Sequence, residues 1–562
     1  MTYDLILRGG RVVDGTGMPG FAADVAITDG RIARIGKIEA DAKRVIDCEG
    51  AIVAPGFIDV HTHYDVQLDW DPLASPSCYH GVTTVLTGNC GFTLAPAKPE
   101  DVGWLAAMLS RVEGMSKQAL AEGFDFAGGS FGDFWNRLEG RLGINAAGYV
   151  GHCAVRRWVM GDDASERAAT DDEIEAMKVL VRDSMKQGAI GFSTSQLDLH
   201  VGDDGREVPC NHATAEEILA LASVLAEFDH GAIEIIPRSM SEGYNEADRK
   251  LLLDLYHVSG KPVELNILSP TPAHPMGWQA TLDFCREASK KGVRLHPQFT
   301  TNRLELHLKL ADTFVFDEMP LWRDVLTRPE PERCNRLRDP ATRARLKEEW
   351  EDPNVRAVAF DFGDLLVEAV TRLENESFVG QTIGAIAEER GESTFDVFLD
   401  LSLSEDLDMS FQTGTPEVAR DFIKMVVETG VTDPIVMAGS SDGGAHLASF
   451  TGADYSTRLL AEWVPESMSL EQAIWRLSGM PATVHGLVDR GFLRRGAWAD
   501  IVIFDHERLS ASDAYLARDF PAKTERYVVD AEGYRYLIVA GEIVIQDGKP
   551  TDARPGQVIR GA

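Results

Sequence analysis

Pro55-Gly56-Phe57-Ile58-Asp59-Val60-His61-Thr62-His63 ends an apolar, β-rich run with two histidines one residue apart. Side chains alternate along a strand, so His61 and His63 project to the same side. Two imidazoles on one face of a strand end can chelate a divalent metal. A lone His-x-His also occurs by chance, so its surroundings decide its meaning. Here the run is the first of eight. Strand-like stretches recur at Gly56–Val60, Thr83–Thr87, Ala146–Gly151, Ala189–Ser193, Ala232–Ile236, Pro262–Ile267, Val293–Gln298 and Pro434–Gly439. Helical patterns such as Asp171–Gln187, Thr214–Phe228 and Thr281–Lys291 separate some of them. Strand–helix alternation implies parallel pairing, and eight units imply an α/β protein of the closed (β/α)8 TIM-barrel type. The alternative is an open doubly wound sheet. No Gly-x-Gly-x-x-Gly follows the first strand, which weakens that alternative.

Outward from the eight runs the texture changes. Tyr3–Leu7, Arg11–Asp14, Asp24–Thr28, Arg31–Ile35 and Arg44–Asp47 are short β-rich stretches punctuated by glycines, with Asp29-Gly30 a hairpin signal. Residues 499–504, Tyr536–Val539, Glu542–Gln546 and Asp547-Gly548 repeat that texture near the other end. This predicts a small β-sandwich domain built from both termini, residues 1–55 and 487–562, around a barrel at 56–486. Residues 300–433 are too long for a βα connection and read as a largely helical insertion that covers the barrel mouth.

Composition narrows the function. The 562 residues carry 55 Lys+Arg against 89 Asp+Glu, a formal net charge of −34. That balance repels phosphate, which argues against a nucleic acid partner and an anionic membrane surface. No apolar run is long enough for a membrane helix, and the first residues do not read as a secretory signal. Seven cysteines, an odd number scattered along the chain, suggest free thiols in a reducing compartment, and cytoplasm is the expected location.

Two further strand ends carry chemistry. Thr87-Gly88-Asn89-Cys90-Gly91-Phe92 follows the second strand. Cys90 there is either an inert core thiol or, as a thiolate beside two imidazoles, a zinc ligand. Met437-Ala438-Gly439-Ser440-Ser441-Asp442 follows the eighth strand, which neighbours the first in a closed barrel. Asp442 can bind metal, accept a proton, or merely cap a Gly-rich turn. His152, His296 and His446 are mouth-lining or structural. His446 follows Asp442 by four residues and reaches the same site if a helix starts there. Arg156 and Arg238 are candidates for a substrate carboxylate, or partners of nearby acidic residues.

Together these residues resemble the amidohydrolase superfamily. The resemblance rests on Leu7-Arg8-Gly9-Gly10-Arg11-Val12-Val13-Asp14-Gly15-Thr16-Gly17, the Pro55–His63 strand and Gly439–Asp442. Gly88-Asn89-Cys90-Gly91, Gly151–Arg156, Gly188–Thr194 and Arg554-Pro555-Gly556 narrow it to the N-acyl-D-amino-acid deacylase (D-aminoacylase) family, in which a cysteine replaces the usual carboxylated lysine. The resemblance spans nearly the whole chain. It implies a barrel with a small β-domain, zinc, and hydrolysis of an amide on a D-configured amino acid. The chain also departs from the family. Family histidines at the ends of the fifth and sixth strands are replaced by Glu234-Ile235-Ile236-Pro237-Arg238 and Glu264-Leu265-Asn266-Ile267-Leu268, and Asp198 falls near the place of a substrate-pocket tyrosine.

The expectation is therefore a metal-dependent amidohydrolase acting on a small-molecule amide. It holds one zinc, with His61, His63, Cys90 and Asp442 as ligands and Asp442 as the proton carrier. The resemblance also suggests a homo-oligomer. The alternatives are hydrolysis of a cyclic amide or a carbamate, or a metal-free relative with a binding or assembly role.

Overall fold

The computed structural model describes residues 2–561 except 269–270, 272, 302–304, 312, 314, 353–359, 415–422 and 465. Eight parallel strands organise the middle of the chain: β1 (Phe57–Thr62), β2 (Val82–Thr87), β3 (Asn145–Gly148, continued by Val150–Gly151), β4 (Gly191–Ser195), β5 (Ala232–Ile236), β6 (Val263–Leu265), β7 (Leu295–Phe299) and β8 (Met437–Ala438). β1, β2 and the first part of β3 pair in that order, and the second part of β3 continues through β4 to β8. The ends meet where Thr62 bridges Gly443 in parallel and the His63 N–H donates to the Gly443 carbonyl at 2.7 Å. The order is that of a (β/α)8 barrel, and the carboxyl ends of β1, β2 and β8 face one mouth. The eighth strand is shorter than the Pro434–Gly439 run suggests, because the chain leaves the sheet to form the Asp442 loop.

Both termini contribute to one nine-stranded mixed sheet. Tyr3–Val12 pairs on one edge with Ala42–Asp47 through its first half and with Ile52–Pro55 through its last two residues. Ile52–Pro55 then pairs with Ile501–Phe504, which pairs with Tyr534–Val539. The runs expected at Tyr3–Leu7 and Arg11–Asp14 are one strand. Gly9, at φ 71°, absorbs a bulge between them. Ile501–Phe504 is buried throughout because its two faces serve two cores. Ile501 and Ile503 join Leu5, Leu7 and Val53, whereas Val502 and Phe504 join the barrel core. The Asp29-Gly30 turn has φ of 49° and 72°, as a two-residue hairpin between right-twisted strands requires.

The helix Asp171–Lys186 begins where the sequence suggests. Thr170 caps it and Glu173 closes a capping box, while Met177, Val181 and Met185 form its buried stripe. The insertion is only partly helical. Helices at Pro320–Leu326, Glu332–Arg338, Pro340–Glu351, Ile383–Arg390 and Thr394–Ser404 accompany an antiparallel sheet of His307–Leu308, Ser410–Thr413 and Leu365–Ala369. They share an aromatic core of their own that includes Phe316, Trp322, Trp350, Phe362, Phe398 and Phe411. No helix among the described residues is long and apolar enough to cross a membrane.

Candidate metal centre

β1 delivers His61 and His63 fully inside the mouth, with ring centroids 5.4 Å apart. After β2 the chain turns through Gly88, Cys90 and Gly91, all with left-handed backbone (φ 79°, 58° and 81°). That turn brings Cys90 Sγ to 3.4 Å from His61 Nε2. After β8 another left-handed turn, with Ser440 at φ 55° and Asp442 at φ 49°, brings Asp442 Oδ1 to 3.3 Å from His61 Nε2 and 3.8 Å from His63 Nε2. Gly444 makes this approach possible. It has φ 89°, and a Cβ there would lie 2.8 Å from the His63 carbonyl carbon. Ligand atoms of His61, His63 and Cys90 lie within 4.8 Å of one another.

The far sides of both imidazoles face carboxyl groups. Glu113 Oε1 lies 3.3 Å from His63 Nδ1, and Glu234 Oε1 lies 3.8 Å from His61 Nδ1. Glu234 Oε2 also accepts the Cys90 N–H at 2.6 Å. A carboxylate behind a histidine fixes its tautomer and leaves the other nitrogen free for a metal.

Burial dominates the electrostatics. It pushes His61 down to about 3 and His63 well below the ordinary histidine range, so both rings are neutral donors. It raises Asp442 to about 7, with the Asp59 charge adding to the effect. Glu113, Glu234 and the Cys90 thiol rise well above their usual values, first through burial and then through neighbouring acidic groups, Asp442 among them for all three. Among the described residues, Glu113, Glu234 and Asp442 have only histidines as ion-pair partners. His61 Nδ1, His63 Nδ1 and Glu234 Oε1 are buried without a hydrogen bond. Neutral imidazoles, a thiol and several carboxyls gathered out of water fit a divalent cation, which would supply the missing positive charge.

A cavity of about 160 Å³ opens onto this cluster. Its wall includes His63, Cys90, Glu113, Asp442 and His446, apolar residues from the β4 and β5 ends, and Arg111 and Asp317. His446 reaches it without the helix considered above. The segment is a turn, His446 itself sits at φ 51°, and its Nε2 lies 3.8 Å from Glu113 Oε2.

Four other sequence candidates lie outside the cavity wall. A helix starts at His152 itself, and it carries His152 and Arg156 onto the buried Glu217. His152 Nε2 is 2.9 Å from Glu217 Oε1, and Arg156 Nη1 is 2.5 Å from both Glu217 oxygens. Arg238 pairs with Asp198 at the exposed rim and donates to the Asn211 carbonyl at 3.1 Å. His296 sits at the end of β7 away from the mouth and contacts the Ile435 carbonyl at 3.1 Å. Sequence reasoning passed over Glu113, Glu234, Arg111, Asp317 and His200. Each is a single residue with no motif spacing, brought to the site by the fold.

Residues 44–545 match the amidohydrolase family. The chain belongs to that family. It is a hydrolase of C–N bonds other than peptide bonds, and the family's chemistry depends on a divalent metal. Relatives resemble it along nearly its whole length. The D-aminoacylase of Alcaligenes xylosoxydans xylosoxydans is 28% identical, covering 99% of this chain and 97% of its own. The N-acyl-D-glutamate deacylase of the same organism is 27% identical over 99% and 96%. Among solved structures, the N-acyl-D-glutamate deacylase of Bordetella bronchiseptica, complexed with zinc and a phosphonate that mimics the tetrahedral intermediate, superposes with a TM-score of 0.68 at 26% identity, covering 100% of both chains. A D-aminoacylase structure described by one-metal activation and second-metal attenuation of a binuclear centre gives 0.67 at 27%, covering 99% of this chain and 100% of its own. Within this family the present chain has no histidine in the stretches 234–238 at the β5 end and 264–268 at the β6 end, where the resemblance calls for one each; Ile236 and Asn266 belong to these stretches. Both line the cavity, and Asn266 Nδ2 is 3.5 Å from His61 Nε2.

Proposed function

We propose that this chain removes the acyl group from N-acyl-D-amino acids with one zinc ion, held by His61, His63, Cys90 and Asp442. One observation carries the reading: ligand atoms of His61, His63 and Cys90 lie within 4.8 Å of one another at the barrel mouth, and the Asp442 carboxylate stands 3.3 and 3.8 Å from the two imidazoles. Two nitrogens, a sulfur and an oxygen suit zinc's preference for four mixed ligands. The absence of histidines from the stretches 234–238 and 264–268 at the β5 and β6 ends favours a single ion. Residues 56–486 carry the site, and residues 1–55 and 487–562 form its supporting β-domain.

A divalent metal held here would supply Lewis acidity for amide hydrolysis. The chain's own groups do the rest. Asp442 stands beside the donor cluster, where its carboxyl can take a proton from an attacking water and return it to the departing nitrogen. Glu113 and Glu234 face the Nδ1 atoms of His63 and His61 at 3.3 and 3.8 Å, placed to hold each ring in one tautomer once its Nε2 turns to a metal. Leu197, Leu199 and Ile236 keep bulk water from the cavity.

Elemental mass spectrometry of protein purified without added metal, together with a turnover screen of N-acyl-D-amino acids, their L-enantiomers and cyclic imides, tests this. The expected result is about one zinc per chain, lost in His61→Ala. Asp442→Ala should fold normally and lose turnover by about 10²-fold or more. A folded, metal-free wild type, or an Asp442→Ala protein as active as wild type, would refute the proposal.

A further inference from the structure

We propose that Arg111 anchors the carboxylate of the substrate, that Asp317 occupies Arg111 until substrate arrives, and that the cavity selects N-acyl amino acids with an apolar side chain. The proposal rests on the deacylase reading for the identity of the ligand.

Acylation removes the charge of an amino acid's nitrogen, so an N-acyl amino acid enters as an anion. A carboxylate leaving water needs a hydrogen-bonded cation to meet it. Arg111 is the single Arg or Lys among the described residues of the cavity wall. It lies in the last turn of the helix Val102–Val112, two residues before Glu113, and its side chain is 16% exposed. Its Nη2 donates to both oxygens of Asp317, at 2.5 and 2.6 Å. Asp317 is 4% exposed and belongs to the insertion rather than to the barrel. The barrel therefore supplies the cation and the insertion supplies a carboxylate already seated on it. A substrate carboxylate offers the same chemistry and takes that seat by displacing Asp317.

The rest of the wall sets the second preference. Leu197, Leu199, Val201, Ile236, Met240 and Ile267 present an apolar surface, while Glu113, Asp317 and Asp442 are acidic. A second carboxylate, as on an N-acyl glutamate or aspartate, would meet apolar groups, acidic groups or the uncharged His200, His446 and Asn266, and no second described Arg or Lys. One carboxylate with an aliphatic or aromatic side chain fits both surfaces.

The test is calorimetric binding to the zinc-loaded full chain, with N-acetyl-D-leucine against N-acetyl-D-leucinamide, which lacks the charge. N-acetyl-D-glutamate serves as a third probe, and turnover is measured in parallel. Wild type should prefer the carboxylate to the carboxamide by about tenfold or more, and leucine to glutamate. Arg111→Met should collapse the first preference, and Arg111→Lys should restore part of it. Asp317→Asn removes the resident competitor and should tighten carboxylate binding several-fold. An unchanged preference in Arg111→Met, weaker carboxylate binding in Asp317→Asn, or no binding by wild type overturns the proposal. Should Arg111→Met fail to fold, Arg111→Lys and Asp317→Asn decide it alone. Arg111-dependent binding without turnover would sink the deacylase reading and leave the anchor standing. Turnover that ignores Arg111 would do the reverse.

Discussion

Glu234→Gln separates a metal-positioning role from a structural one. Glu234 is fully buried on β5, with one oxygen on the Cys90 N–H at 2.6 Å and the other 3.8 Å from His61 Nδ1. Glutamine keeps the shape, and its carbonyl oxygen can still accept the Cys90 N–H, so the left-handed Cys90 turn should survive. Its amide nitrogen would then face His61 Nδ1. With Nε2 turned to a metal, Nδ1 carries the proton, so donor would meet donor and the ring would lose its orienting partner. Loss of such a partner typically costs about 10–100-fold in metal affinity, or about 1.4–2.7 kcal/mol. Chelator competition on the purified variant measures this directly. The thermal shift produced by added zinc should shrink by the same free energy, because a ligand stabilises only the state that binds it. Zinc affinity equal to wild type, in a variant of unchanged fold, would refute the claim that Glu234 acts through His61. Glu234→Leu is the contrasting control. It also strands the Cys90 N–H and should lose stability even without zinc, by about 1–3 kcal/mol.

Two further outcomes follow from the same geometry. Gly444→Ala puts a Cβ 2.8 Å from the His63 carbonyl carbon in a left-handed backbone, so zinc content should fall together with stability, by about 2 kcal/mol or more; full zinc occupancy would show that the loop does not set the site. The buried His485 would be held down by desolvation, but the Glu264 carboxylate 2.6 Å away keeps it above its usual 6.5. Its stabilising charge is complete below that value and fades as pH rises through the folded one, so the stability gap between wild type and His485→Gln should narrow with rising pH between about 5 and 8. A gap independent of pH in denaturant melts would refute the assignment.

The parts of the site legible in the sequence are those in which consecutive residues carry the message. Pro55–His63 shows strand, direction and chelating pair together, and Gly88–Gly91 and Gly439–Gly444 show the tight turns that aim Cys90 and Asp442. Several strand runs are legible for the same reason, since β1, β2 and β5 are continuous segments rich in β-branched residues and buried on both faces. Glu113, Glu234 and Arg111 are not legible, because their meaning lies in what they touch across the barrel. His152 and Arg156 misled because Gly151 ends β3 and the helix begins without a loop. Side chains that a longer loop would have left at the mouth turn instead onto Glu217. The insertion's sheet escaped notice because one of its strands, His307–Leu308, has only 2 residues, too few for any alternation to register.

Cys90, Ser440 and Asp442 all hold left-handed backbones, each at a cost of about 1 kcal/mol or more. Such strain persists only where surrounding contacts over-determine it, and here the contacts come from the barrel itself. Glu234 holds the Cys90 N–H, and Gln298 accepts from Ser440 Oγ at 3.0 Å. Ser441 Oγ donates to the buried Asp59 at 2.7 Å while accepting the Gly443 N–H at 2.9 Å, and the Gly443 carbonyl closes onto His63. The donor atoms are therefore placed by strands β1, β5, β7 and β8 before any ion arrives. The insertion contributes none of the four proposed donors, yet its Asp317 sits on the cavity's described guanidinium. On the proposed reading, the metal donors, the Arg111 anchor and the apolar wall all belong to the barrel, and the insertion supplies only the competing Asp317 carboxylate. Under that proposal a change at Asp317 should retune how tightly a carboxylate is held without disturbing the donor cluster.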